Sequence, residues 1–199
     1  MCLIDEIKKE IESNYVKFKD FDGYDLSIED YDEYDRTGNR LNYECKYFAK
    51  RECLTARAMY AYLNQKKADD DLIRIIESIC DEHSWVLPAH KKDNPYVDLY
   101  SAITGHMLCE IAHYIEIPHA LHERIHDIVK VRIKEMYENN VSNWESYENN
   151  WLPVCAGRIG MVYLYEFPED FAKVKTRILS SMQKYIDGFG DDGACVEGV

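Results

Sequence analysis

The chain has 199 residues, 46% of them hydrophobic and 31% charged, with a formal net charge of −13. That length and apolar fraction can build one large domain or two small ones, and the acidic balance argues against nucleic acid, whose phosphates require clustered Lys and Arg. No run approaches the ~18 apolar residues of a membrane span. The opening MCLIDEIKKEIES lacks the basic start and apolar centre of a signal peptide, so a cytoplasmic protein without membrane attachment is expected.

Apolar spacing reads helical almost throughout. Leu3, Ile4, Ile7 and Ile11 mark a first helix. Residues 20–38, DFDGYDLSIEDYDEYDRTG, are acidic and tyrosine-rich without a clear period, and read as an irregular surface linker. Helices are then expected at about 42–65, 70–82, 97–115, 120–138, 150–165 and 169–187, with ends uncertain by a few residues. No strand is convincing. Residues 1–40 thus form an N-terminal helix and acidic segment, and 41–199 the main helical domain.

The connections alternate in character. Those at 115–120 and 165–169 are short and carry Pro118 or Pro168, whereas 82–98, 139–151 and 188 onward are long and chemically rich. Such alternation suits antiparallel helical hairpins with the rich loops gathered at one end. Glu82, Glu145 and Glu197 fall in successive rich loops.

Within the first rich loop, Trp85 is either a platform for a sugar ring or a plug for the helix ends, with Asp98 capping the helix that follows. His90 has the chemistry to hold a carboxylate, move a proton or cap a helix. The second loop runs WESYENNWLPVCAG from Trp144. A cap explains one of Asn149 and Asn150, but not the second asparagine, Glu145 or the two tryptophans. An amide at a helix N-terminus is a neutral donor to an anion, helped by the helix dipole. It would let an acidic protein hold a carboxylate. The small residues Ala156, Gly157 and Gly160 then suggest close helix packing.

Other chemistries find less support. Seven scattered cysteines without a CxxC pair indicate neither a disulfide framework nor a zinc ribbon. His119, His122 and His126 share a helix face but lack HExxH or acidic ligands at matching spacing, so a solvated face is expected and no metal. Nothing resembles a GxSxG nucleophile elbow.

Four stretches read in order, DEHSWVLPAH, VDLYSAITGHMLCEIAHYI, NWESYENNWLPVCAGRIG and YIDGFGDDGACVEG, resemble the N-terminal helical domain of heparinase II/III-like proteins. The resemblance runs from about residue 40 to the end. It implies an all-α fold, an incomplete (α/α) toroid, that is followed in the family by a β-sandwich region. It also implies a polysaccharide lyase acting by β-elimination on a uronate-containing glycan, without a cofactor.

Such an enzyme removes the C5 proton of a uronic acid once its carboxylate is neutralised, using Tyr or His as base and Tyr as acid. By the resemblance, Asn150 is the neutralising amide, with Asn149 the second choice. Glu82, Trp85, His90, Glu145, Trp151 and Glu197 would line the cleft. The family tyrosine that follows its EG motif has no counterpart after Gly198. The chain is therefore expected to be a truncated, inactive domain that self-associates through the apolar face of its last helix, including Val174, Ile178, Leu179, Met182 and Ile186. The competing readings are a glycan-binding toroid without chemistry and a glycoside hydrolase, which would need two carboxylates across the scissile bond.

Overall fold

A computed structural model describes residues 3–64, 66–147 and 149–194, and every regular element among them is helical. The order is α1 (Leu3–Lys17), α2 (Ile28–Thr37), α3 (Leu41–Asn64), α4 (Asp70–Cys80), α5 (Leu99–Tyr114), α6 (His119–Val129), a π-helical stretch (Lys130–Glu135), α7 (Met136–Asn139), α8 (Trp151–Glu166) and α9 (Phe171–Asp187). Single 3₁₀ turns lie at Pro88–His90 and Asn143–Ser146. The all-helical reading holds, and no described helix is long and apolar enough to cross a membrane.

One expectation is corrected. The segment at 20–38 contains α2. Ser27 caps it by accepting from the Asp30 amide at 3.1 Å, and Gly38 closes it in the left-handed region at φ 74°. Glu29 and Asp30 sit at the positive end of the helix dipole, so the acidic composition supports its first turn. Only Tyr31 is buried, edge-on to Tyr43 at 5.2 Å. A helix anchored by one aromatic residue leaves no apolar period to read.

The chain divides into two compact units, Met1–Ala89 with Ile111–Arg124, and His90–Glu110 with Ile125–Val199. In the first, α3 is the axis. It packs on α1 and α4 and buries Tyr43, Tyr47, Cys53, Leu54 and Ala58. In α4, Leu72, Ile75, Ile76 and Ile79 recur at helical spacing and are fully buried, while Asp69 caps the helix through the Leu72 amide at 2.7 Å. Arg57 is buried and serves two helix ends. It donates to the carbonyls of Phe18 and Lys19 just past α1, and pairs with Asp71 at 2.9 Å in the first turn of α4.

In the second unit, α8 and α9 form an antiparallel hairpin joined at Phe167–Asp170. Val174 and Ile178 bury against it, whereas Leu179 and Ile186 are exposed. Ala156 and Gly160 are buried where α8 packs, but the packing does not depend on glycine. A methyl group built on Gly160 would meet Ile178 at 3.5 Å, an ordinary contact, and one on Gly157 would meet nothing within 4 Å.

Arg177 of α9 locks the loop ahead of α8. Its guanidinium donates to both oxygens of Glu145 at 2.7 Å and to the carbonyls of Tyr137 and Asn140, and it stacks on the Tyr137 ring at 3.8 Å. Glu145 completes a capping box by accepting from the Ser142 amide at 2.7 Å. Trp144 is buried parallel to Tyr137 and donates its ring N–H to the Val97 carbonyl at 2.8 Å.

Two outcomes are expected. Arg177→Ala strips a half-buried carboxylate and two carbonyls of their donor, so urea unfolding should show a loss of about 3 kcal/mol. Gly160→Ala has room for its methyl group and removes a flexible residue from a helix interior, so it should raise stability by about 0.5–1 kcal/mol. A loss there would mean that α8 and α9 lie closer than described.

Candidate functional site

The expected site residues separate between the units. Glu82 and Trp85 belong to the first unit and are built into its interior. Glu82 takes both arms of the Arg51 guanidinium at 2.5 Å and the Lys50 ammonium at 2.9 Å. Arg51 in turn lies over the Tyr47 ring. Trp85 is 1% exposed, donates its indole N–H to the Ile79 carbonyl at 2.9 Å and lends its own carbonyl to the Tyr47 hydroxyl. That is the placement of a plug over the end of α4, with no ring face open to a sugar.

His90, Glu145, Asn149, Asn150 and Trp151 lie in the second unit, and Glu197 lies outside the described residues. His90 closes the 3₁₀ turn at Pro88–His90. Its ring stacks on Tyr100 at 5.5 Å and meets Trp151 at 5.0 Å, and its carbonyl accepts from the Tyr96 hydroxyl at 2.8 Å. Its Nδ1 lies 2.9 Å from Oδ2 of Asp98, a carboxylate with no exposure to solvent. The other oxygen of Asp98 accepts from the Ser101 amide at 2.8 Å and so caps α5. With Asp98 ionised, the proton sits on Nδ1 and Nε2 carries the lone pair, which makes His90 an oriented proton acceptor.

The two asparagines differ. Asn149 is partly buried, and its side-chain oxygen accepts from the Trp151 amide at 3.1 Å. Asn150 occupies the cap position of α8 with helical backbone angles, is exposed, and makes no side-chain capping bond. Local stapling is therefore the work of Asn149, and the amide of Asn150 is not used to cap the helix.

Glu145 is held by Arg177 and the Ser142 amide, so it supports the loop that carries Trp144. Cys155 is buried within the field of Asp98 and Glu145. Burial first, then these two charges, push its thiol far above the usual range, which excludes a resting thiolate.

Sequence reading missed three features of this unit. Tyr100, on the first turn of α5, gave no signal beyond its type. A groove of about 640 Å³ is lined by Lys91, Lys92, Asp93, Asn139, Asn140 and Asn143, among others. It sets two lysines against one aspartate in an acidic protein, and only the doubled Lys and Asn pairs hint at it. The third is a contact between α5 and α8, in which Arg158 donates to His106. No three His, Cys, Asp or Glu side chains among the described residues are gathered as a metal site would need.

The chain matches no family model and no curated protein. The functional reading therefore rests on the residues themselves.

The asparagine assignment predicts a contrast in stability. Asn149→Ala should cost ~1 kcal/mol, the value of a lost cap. Asn150→Ala removes no helix cap and should cost less than Asn149→Ala. Thermal melts of the two variants side by side would check it.

Proposed function

We infer that the second unit carries a recognition site for a uronate-containing glycan, on a helical scaffold of the incomplete (α/α) toroid type, and that its chemistry is β-elimination of the heparinase II/III-like kind. The observation that carries this reading is the His90 ring held against Tyr100 and Trp151, with Nδ1 anchored on fully buried Asp98. Aromatic faces suit the C–H faces of a pyranose. An imidazole whose tautomer is set by a buried carboxylate is fitted to take a proton at Nε2.

The roles follow from the demands of the reaction. The C5 proton of a uronate becomes acidic only when the adjacent carboxylate is neutralised. The exposed amide of Asn150, at the N-terminus of α8, supplies a neutral donor assisted by the helix dipole. His90 takes the C5 proton as the C4–O bond breaks, and Asp98 positions the imidazole. The imidazolium so formed returns that proton to the departing oxygen, and with no separate acid assigned turnover is expected to be slow. The Lys91, Lys92 and asparagine groove offers donors for further anionic residues of the same polymer.

A hydrolase would draw its carboxylate pair from Glu82, Glu145, Asp192 and Glu197. Glu82 is committed to Lys50 and Arg51 and Glu145 to Arg177, which leaves Asp192 and, outside the described residues, Glu197. Binding without chemistry keeps the same recognition residues and differs only in turnover.

Titration calorimetry with a glucuronate-containing tetrasaccharide should give saturable binding, and the carboxyl-reduced tetrasaccharide should not. Asn150→Ala and Trp151→Ala should each weaken it about tenfold or more, the scale of one lost hydrogen bond to a charged group or one lost stacking face. Equal binding of the two sugars, or none, would refute the reading. An ultraviolet-absorbing unsaturated product that disappears in His90→Gln would assign the base.

A further inference from the structure

Helix α9 presents two apolar faces. Val174 and Ile178, which the sequence placed on an associating face, are buried with Ser181 where α9 packs on α8. About a quarter turn away, Leu179, Met182, Ile186 and Phe189 follow one another at spacings of three, four and three. Leu179 is 50%, Ile186 58% and Phe189 41% exposed, and Met182 is partly exposed. The Phe189 amide donates to the Ile186 carbonyl at 3.1 Å, which carries the stripe just past the end of the helix. Its ring is held edge-on to Tyr185 at 5.1 Å. At about 100° per residue the stripe points away from Arg177 and Lys184, which hold the loop ahead of α8.

No charged side chain lies on the stripe between Leu179 and Phe189, and Gln183 and Tyr185 flank it. Its two ends carry opposite charge. Lys175 stands in line with Leu179 one turn before it, and Asp191 and Asp192 follow Phe189. Lys175 and Asp191 are exposed, and neither meets a partner among the described residues. Apolar residues at alternating spacings of three and four form the seam of a two-helix coiled coil. A parallel pair of copies would set lysine against lysine and aspartate against aspartate. An antiparallel pair sets the Lys175 end of each copy beside the acidic end of the other. Each apolar residue then has a partner, Leu179 with Phe189 and Met182 with Ile186 of the second copy.

We propose that this face is a docking surface for a second copy of the chain, seated antiparallel along α9 about a two-fold axis at the level of Lys184. The four side chains make a patch of roughly a few hundred Å² per copy, the size of a transient interface. The dimer is therefore reversible, with a dissociation constant on the order of 10 μM. A membrane fits the face poorly, because an acidic chain with one lysine on the stripe has little to hold anionic headgroups. Nothing in this pairing rests on the glycan reading.

Sedimentation velocity of the full chain, from about 1 μM to about 500 μM, tests it. The parent should pass from monomer to dimer across that range. Ile186→Glu puts a charge in the middle of the seam and should leave a monomer throughout. Leu179→Glu reads the same face should Ile186→Glu lose its helical circular dichroism. Lys175→Glu and Asp191→Lys should each weaken the dimer about tenfold at low salt. Mixing these two variants should restore it, because each charge then faces its opposite.

A parent that stays monomeric over the whole range would overturn the proposal, as would a dimer that survives a folded glutamate variant. A dimer indifferent to both charge changes would seat the copies in another register and overturn the antiparallel pairing. A monomer that sediments with phosphatidylserine vesicles would give the face to a membrane instead.

Discussion

Asp98 joins the start of α5 and the His90 imidazole through one carboxylate. It has no exposure to water, and each of its oxygens has a partner, the Ser101 amide on one side and the His90 imidazole on the other. A buried charge is costly unless paired and hydrogen-bonded. The fold meets that cost by giving Asp98 two structural duties at once. The N-terminus of α5 is held in place, and the His90 ring is oriented as a consequence. The aromatic contacts to Tyr100 and Trp151 then have a fixed ring to meet.

Two other acids of the rich loops obey the same constraint. Glu82 gathers Lys50 and Arg51 in the first unit, and Glu145 gathers Arg177 and the Ser142 amide in the second. Each secures a stretch of irregular backbone to a long helix by charge-assisted bonds. Acids in rich loops invite a catalytic reading. Here Glu82 and Glu145 are consumed by anchoring.

Much of this was legible in the sequence because the helices bury clear periodic stripes. Leu72, Ile75, Ile76 and Ile79 announce α4, and Leu152, Cys155, Ala156 and Ile159 do the same for α8. Helix α2 was not legible, because its stability comes from a serine cap, a glycine terminus and one tyrosine rather than an apolar face. The site was half legible. Trp151, His90 and Asn150 stood out by type and position, but residue type alone could not tell the buried plug Trp85 from the partly exposed Trp151. Whether a tryptophan in a loop turns inward depends on an acceptor such as the Ile79 carbonyl, which no local pattern encodes. Arg158 and His106 lie 52 residues apart, and nothing in either segment signals the other.

The π-helical stretch at Lys130–Glu135 has a consequence for how the chain can change in length. Ile125, Val129, Ile133 and Tyr137 are all fully buried and recur every four residues. In a regular α-helix that spacing drifts by about 40° at each step, so such a row would wind off the core. Wider i→i+5 turns absorb part of the drift. Removing one residue here restores ordinary winding, and the lost residue and the lost wide turns largely cancel, so the helix beyond keeps its facing and Tyr137 stays against the Arg177 guanidinium and the Trp144 ring. A one-residue deletion should accordingly be tolerated within this stretch, whereas one in the regular turns of α6 would swing everything beyond it by about 100°.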